Sequence, residues 1–207
     1  MSFSDDEQEL TTPSPDALDD SINNAKMGHD DLIREMVETF GPSILETTDD
    51  DGKTALIWAA DHRRDKTVKL LLELGAEVNA EDNDSMTPLI AAACAGAVGI
   101  IHILLDNHAQ IESRYGQALL SPLHCAAWNG HTDAVTALLE RGADLKAITG
   151  DGLSVLEAAR KRANTETARV IEHEMSRRAF AEEARQMTEG TQKPISLSHS
   201  IQLRKPS

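Results

Sequence analysis

The stretch Ser121-Pro-Leu-His-Cys-Ala-Ala127 decides the fold of this 207-residue chain, because near-copies of it recur at a fixed interval. The other copies begin at Thr54, Thr87 and Ser154, so the four starts are 33, 34 and 33 residues apart. Self-similarity at a fixed period of this length indicates a protein built from stacked structural repeats.

The interval also holds downstream of each start, where a leucine pair and a pair of small or polar residues follow in step. These positions are Leu71-Leu72, Leu104-Leu105 and Leu138-Leu139, then Gly75-Ala76, His108-Ala109 and Gly142-Ala143. A Thr or Ser at each start can cap a helix with its side-chain oxygen, and Pro88 and Pro122 suit the first helical position. Each unit is thus predicted to be a turn and two antiparallel helices, which must stack to bury their apolar faces.

The pattern resembles the ankyrin-repeat family, most clearly in the T-P-L-H-x-A-A opening at Ser121–Ala127 and the L-L-x-x-G-A-x-x-N ending at Leu71–Asn79. The resemblance implies an all-α solenoid of about five helix-turn-helix units, including a degenerate N-terminal capping unit. The predicted segments are a disordered acidic tail at 1–18, a capping repeat at 19–50, ankyrin repeats at 51–83, 84–117 and 118–150, a C-terminal repeat with an extended capping helix at 151–189, and a disordered tail at 190–207.

Three residues stand where this family usually has glycine. Arg63 and Ala163 lie between the two helices of their units, and His108 follows a second helix. A non-glycine residue held at positive φ costs on the order of 1 kcal/mol. We therefore expect backbone strain at these three junctions.

The composition argues against nucleic-acid and membrane partners. The 35 acidic residues outnumber the 20 basic ones and give a formal charge of -15, which repels phosphate backbones and anionic lipids. Aromatic residues make up 3% of the chain, too few for a base-stacking surface. Residues 85–105 lack charged side chains, but they contain a proline and keep the repeat register, so we do not expect a membrane span there.

No motif of catalytic, metal or cofactor chemistry is found in the sequence. There is no Gly-rich phosphate loop, no G-x-S-x-G and no H-E-x-x-H. Cys94 and Cys125 are too few for a disulfide framework or a thiolate metal site, and they suit buried, reduced thiols inside the cell. The resemblance implies that His124 is a framework residue that hydrogen-bonds neighbouring turns. We expect no enzymatic activity and no cofactor; the alternative, an enzyme with a divergent site, would require a pocket with perturbed titratable groups.

The resemblance also implies where a protein partner binds, because in this family the turn tips and the ends of the first helices line a concave groove. Carried over position by position, it assigns thirteen groove residues: Asp51, Lys53, Asp61 and His62; Asp84 and Met86; Leu120, Trp128 and Asn129; Asp151, Leu153, Lys161 and Arg162. Acidic residues lie toward the first unit, apolar residues in the middle and basic residues toward the fourth. We expect a partner segment that is apolar in its middle and basic at the end facing Asp51 and Asp61.

The two tryptophans receive different predictions. Trp128 falls on the groove side, where an aromatic anchor is typical of an interface hot spot, although it could instead seal the stack against a neighbouring helix. Leu120 follows the one-residue insertion, which leaves its direction open. Trp58 stands at a framework position of the family, so we expect it to pack in the core.

Together these features predict a monomeric, non-enzymatic adaptor or scaffold that binds another protein in the cytoplasm, with the nucleus as a second location. The alternative is a stoichiometric inhibitor or regulator of an enzyme or transcription factor that uses both the groove and the acidic N-terminal tail. Ser4, Thr12 and Ser14 precede acidic residues or proline and are candidate phosphorylation sites.

Overall fold

The computed structural model describes residues 15–190, with side chains described from 20 to 187. Its helices are α1 (Pro15–Met27), α2 (Asp30–Phe40), a 3₁₀ turn (Pro42–Glu46), α3 (Ala55–Asp61), α4 (Asp65–Glu73), α5 (Pro88–Ala95), α6 (Val98–Asp106), α7 (Pro122–Asn129), α8 (Thr132–Glu140), α9 (Val155–Lys161) and α10 (Thr165–Gly190). Between residues 15 and 190 the only β-structure is a set of three isolated bridges in the turns. The predicted all-α repeat solenoid is confirmed.

The chain divides into two compact units, one ending at Glu172 and the other beginning at His173, within α10. In the second unit Glu174 accepts hydrogen bonds from Arg177 at 2.6 and 2.7 Å and from Arg178 at 2.7 Å. The bonds from Arg177 lower the pKa of Glu174 to about 2, although its burial acts in the opposite direction. Phe180 is 74% exposed on the same helix.

The helix boundaries differ from the predicted segments at both ends. Helix α1 begins at Pro15, so residues 15–18 are helical rather than part of the tail, and proline suits a helix start because its missing N–H is not needed there. Helix α10 includes Gly190, one residue beyond the predicted repeat. The predicted disorder of 1–14 and 191–207 and the phosphorylation candidates Ser4, Thr12 and Ser14 lie outside the described residues.

One capping contact starts the first helix of every repeat. The side chains of Thr54, Thr87, Ser121 and Ser154 each accept a hydrogen bond from the backbone N–H three residues later. Ser154 forms a full capping box, because the side chain of Glu157 also accepts from the Ser154 backbone N–H. These helices have only seven or eight residues, so a cap worth about 1 kcal/mol fixes where each of them begins.

The helices stack in two layers. The first layer runs α1, α3, α5, α7 and α9, and the second runs α2, α4, α6 and α8. Alanines of the first layer are fully buried and allow close approach; they include Ala59, Ala60, Ala91–Ala93, Ala126, Ala127, Ala158 and Ala159. Leu71, Leu104 and Leu138 are equally buried in the second layer. The pair α1 and α2 therefore packs as one more unit of the stack.

Backbone hydrogen bonds join the turn tips of neighbouring repeats. The N–H groups of Asn83, Gly116 and Gly150 donate to the carbonyls of Asp51, Asp84 and Ala118 at 3.0, 2.8 and 2.8 Å. The buried imidazole of His124 adds a further link, because its ring nitrogens lie 2.8 Å from Ser121 Oγ and 3.1 Å from the Leu153 carbonyl. The expected framework role of His124 is thus present in the structure.

The expected backbone strain occurs at all three junctions. Arg63, Ala163 and His108 have φ values of 55°, 58° and 66°. Ser85 and Leu119, both in turn tips, also adopt positive φ, at 63° and 53°. Gly52 and Gly152 stand at the equivalent position, two residues before the cap, and also have positive φ, so this turn uses a left-handed residue in all four repeats. Among the described helices, none combines the length and the apolar character that crossing a membrane requires.

Candidate protein-binding groove

All thirteen groove residues reach the surface. Asp51, Asp61, His62, Asp84, Asn129, Asp151, Lys161 and Arg162 are exposed, and Lys53, Met86, Leu120, Trp128 and Leu153 are half-buried. The charge of the row changes from negative in the first repeat to positive in the fourth. Asp51 and Asp61 are accompanied by exposed Asp50 in the first repeat, whereas the fourth repeat carries Lys161 and Arg162 against one aspartate.

Trp128 lies in the last turn of α7 and meets another groove residue from the next repeat. The guanidinium carbon of Arg162 is 5.1 Å from the centroid of the Trp128 ring. The backbone is held in place because Asn164 Nδ2 donates to the Trp128 carbonyl at 2.8 Å. The indole N–H of Trp128 makes no hydrogen bond to any residue that the structure describes. This donor is therefore available to an acceptor of a bound partner at the edge of the ring.

Asn129 performs a structural task that the sequence did not indicate. Its side-chain amide donates to the Cys94 carbonyl at 3.1 Å, and a ring nitrogen of His131 lies 2.9 Å from the same oxygen. Both contacts link the C-terminal end of α5 to the next repeat. The side chain of Asn129 is exposed, but one of its donors already serves the stack.

The third turn tip carries two adjacent leucines that differ in exposure. Leu120 is half-buried and packs against the core, as Met86 does in the preceding repeat. Leu119 is 49% exposed, and Ile148 in the next turn is 60% exposed. Arg114 Nη1 donates to the carbonyls of both residues, at 3.4 and 3.3 Å. The apolar surface of these tips therefore includes two residues that the position-by-position assignment left out.

The prediction that Trp58 packs in the core is wrong. Equivalent positions in the other repeats hold Ala91, Cys125 and Ala158, which are small and buried. The much larger indole of Trp58 remains half-buried, and its N–H donates to Asp49 Oδ2 at 2.7 Å. The framework position thus carries a surface aromatic side chain, because an indole does not fit the space of an alanine.

Two lysines lie against the Trp58 ring. Lys26 Nζ, from the last turn of α1, is 3.7 Å from the ring centroid, and Lys53 Nζ is 4.5 Å from it. The ring centroid of His62 lies 5.3 Å from that of Trp58. We call Lys26, Asp49, Lys53, Trp58 and His62 the Trp58 cluster. The cluster lies at the acidic end of the groove, because Lys53 and His62 are themselves groove residues.

Asp49 holds the Trp58 cluster together. Its Oδ1 atom accepts hydrogen bonds from the backbone N–H groups of Lys53 at 2.9 Å and Asp51 at 3.1 Å. Burial by itself raises the pKa of Asp49, but the bonds from Lys53, Trp58 and Asp51 and the nearby charge of Lys26 together leave that pKa below its ordinary value. Folding thus favours the charged form of the Asp49 carboxylate.

The two thiols lie in neighbouring first helices. Cys125 is buried as expected, whereas Cys94 is half-buried, which corrects the prediction for that residue. The pKa of Cys125 is raised because its thiol hydrogen-bonds to Cys94 and is buried. Open clefts occur elsewhere, at the junctions between helix pairs, and one of about 480 Å³ is lined by Arg63, Gly96, Gly130, His131 and their neighbours.

A model of the family described as ankyrin repeats (three copies) matches residues 22–82 and 74–149 and so covers more than half of the chain. The chain belongs to the ankyrin-repeat family. Ankyrin repeats generally mediate protein–protein interaction, and the family is in general a non-enzymatic interaction module.

Several curated proteins resemble this ankyrin-repeat chain. Neurogenic locus notch homolog protein 2 of Homo sapiens is 32% identical over 164 residues, which is 79% of this chain and 6% of that protein. Ankyrin repeat and KH domain-containing protein mask-1 of Caenorhabditis elegans is 32% identical over 160 residues (75% and 6%). E3 ubiquitin-protein ligase KEG of Arabidopsis thaliana is 34% identical over 131 residues (62% and 8%). The chain thus spans less than a tenth of the length of these relatives.

Proposed function

We propose that this ankyrin-repeat protein is a monomeric, non-enzymatic adaptor that binds another protein through the groove residues, in the cytoplasm or the nucleus. The proposal rests on the exposure and the contacts of the Trp128 side chain. Its indole is half-buried, borders Arg162 of the next repeat and has an N–H without a hydrogen-bond partner among the described residues. A rigid aromatic side chain with an unused donor is typical of an interface hot spot.

The charges along the groove support a partner of defined polarity. Asp50, Asp51 and Asp61 are exposed in the first repeat, and Lys161 and Arg162 in the fourth. The middle repeats contribute half-buried Met86, Leu120 and Trp128 and one exposed acid, Asp84. A segment that is apolar in its middle and basic toward the first repeat complements this arrangement, and the charges would fix its direction in the groove.

The proposal is tested by affinity capture from cell extract with the unmodified chain and the variant Trp128→Ala. Phe180→Ala is the matched control, because Phe180 is another exposed aromatic side chain that is not a groove residue. We expect a partner to be captured by the unmodified chain and the control and to be lost by Trp128→Ala, whose helical circular dichroism stays unchanged. Equal capture by all three proteins would contradict the proposal.

A further inference from the structure

The Trp58 cluster has the composition of a site that receives a cation. It offers the face of an indole ring, which attracts ammonium and guanidinium groups through its negative π-system. The ring orientation is fixed by the 2.7 Å hydrogen bond from Trp58 Nε1 to Asp49. Exposed Asp50, Asp51 and Asp61 add negative charge around it.

A residue of the chain itself occupies this site. Lys26 Nζ lies 3.7 Å from the Trp58 ring centroid, closer than Lys53 Nζ at 4.5 Å. Within the described side chains, neither ammonium group lies within 4.0 Å of a carboxylate oxygen. The ring therefore provides the direct contact that holds Lys26, and the negative charge of Asp49 acts from a longer distance.

Lys53 weakens the attraction between Lys26 and the Trp58 ring. Because both ammonium groups lie so close to one ring centroid, the distance between them cannot exceed about 8 Å, and they repel each other. A guanidinium group is planar, more weakly hydrated than an ammonium group, and stacks better on an aromatic face. An arginine of a partner is therefore a strong competitor for the position of Lys26.

We propose that the Trp58 cluster is the receptor for a basic side chain of the partner, preferably arginine, and that Lys26 occupies this receptor in the free protein as an internal competitor. The inference rests on the proposed function, because it names the residues that receive the basic end of the partner segment. Binding then requires that Lys26 leave the ring. The apparent affinity is then the intrinsic affinity multiplied by the fraction of molecules in which Lys26 has left the site.

The test measures the dissociation constant of a short synthetic peptide with leucines at its centre and two arginines at one end. A second peptide carries citrulline in place of arginine, which keeps the shape and removes the charge. Lys26→Met removes the competitor, and Lys26→Arg retains it. Lys69→Met is the matched control, because it removes the same charge from an exposed position on α4, away from the cluster.

We expect Lys26→Met to tighten binding of the arginine peptide at least about threefold and to leave the citrulline peptide unchanged. Lys26→Arg should weaken binding, because a guanidinium group competes better for the ring. Lys69→Met should bind like the unmodified chain, and Trp58→Phe should reduce the preference for arginine. The chain has two tryptophans, so its two indole N–H signals in a nuclear magnetic resonance spectrum can be assigned with this last variant. The arginine peptide should shift the Trp58 signal, whereas the citrulline peptide should not.

The inference is overturned if Lys26→Met leaves the affinity for the arginine peptide unchanged or weakens it. It is also overturned if Lys69→Met tightens binding as much as Lys26→Met, since general electrostatics would then explain the effect, or if no variant binds the arginine peptide. These failures are distinct from failure of the proposed function. Loss of the captured partner in Trp128→Ala would still support the groove while this receptor is rejected.

Discussion

The two tryptophans occupy opposite situations in one repeated scaffold. Trp58 has its N–H bonded to Asp49 and its ring contacted by Lys26 and Lys53, so its polar and aromatic contacts are made within the chain. Trp128 is also half-buried, but it has one cation at 5.1 Å and no hydrogen bond from its indole to a described residue. The two half-buried indoles thus differ in how many of their possible contacts are already made within the folded chain.

Half-burial alone therefore does not identify a binding residue. Trp58 connects α1 to the first repeat, because Lys26 belongs to α1 and Asp49 to the turn before α3. Trp128 contacts the next repeat through its backbone carbonyl, which accepts from Asn164, and through a single cation on its ring, Arg162. We therefore expect substitutions of Trp58 to affect stability more than substitutions of Trp128, and the reverse order for binding.

The largest expected difference concerns stability. Trp58→Ala removes the indole hydrogen bond and the ring that holds Lys26, so we expect it to lower the free energy of unfolding by about 2–3 kcal/mol. Trp128→Ala should lower it by no more than about 1 kcal/mol, because it removes one partly exposed cation–π contact and some apolar packing. Urea unfolding followed by circular dichroism measures both. Equal losses would break the distinction between the two tryptophans.

A smaller effect is expected from the carboxylate that orients Trp58. Asp49→Asn weakens charge-assisted hydrogen bonds at a partly exposed site, and we expect a loss of about 1 kcal/mol at neutral pH. Asp61→Asn, the control for charge removal nearby, should change stability by less than about 0.5 kcal/mol. Urea unfolding of the two variants at pH 7 decides the point, and a control as unstable as Asp49→Asn would contradict this role of Asp49.

The lowered pKa of Asp49 also predicts that the free energy of unfolding depends on pH in the acid range. The pKa of Asp49 is lower in the folded chain than its ordinary value of 3.8, so the unfolded chain binds a proton first as the pH falls. The stabilisation that ionised Asp49 contributes is complete at pH values above this ordinary pKa. It is lost as the pH falls below the ordinary pKa toward the lower pKa of the folded chain. Asp49→Asn should remove this part of the acid sensitivity, which unfolding measured from pH 5 to pH 2 would detect.

Much of the fold could be predicted from the sequence because its determinants are local and periodic. The sequence shows the cap at Ser121, the alanines after it and the interval of 33 or 34 residues. Each feature recurs in the other repeats and has the same structural role there. Even the strained positions Arg63 and Ala163 were predictable, since a missing glycine stands out against the other repeats.

The site was less predictable where contacts come from outside the repeat pattern. The Trp58 cluster depends on Lys26 of α1, and the sequence does not show that this long side chain turns onto the Trp58 ring. Leu119 is exposed at the turn position that Gly52, Ser85 and Gly152 hold in the other repeats, and none of those residues indicates an apolar surface there. The bond from Asn129 to the Cys94 carbonyl joins residues 35 positions apart, and its donor resembles any exposed amide in the sequence.

The most direct test of the central claim replaces Trp128 with a photo-crosslinking aromatic residue in the otherwise unmodified chain, inside cells. The same residue at position 180 is the control, because Phe180 is exposed and is not a groove residue. We expect the crosslinker at position 128 to attach covalently to the partner that Trp128→Ala loses, and the crosslinker at position 180 not to attach to it. Attachment of that partner at position 180 but not at position 128 would contradict the account.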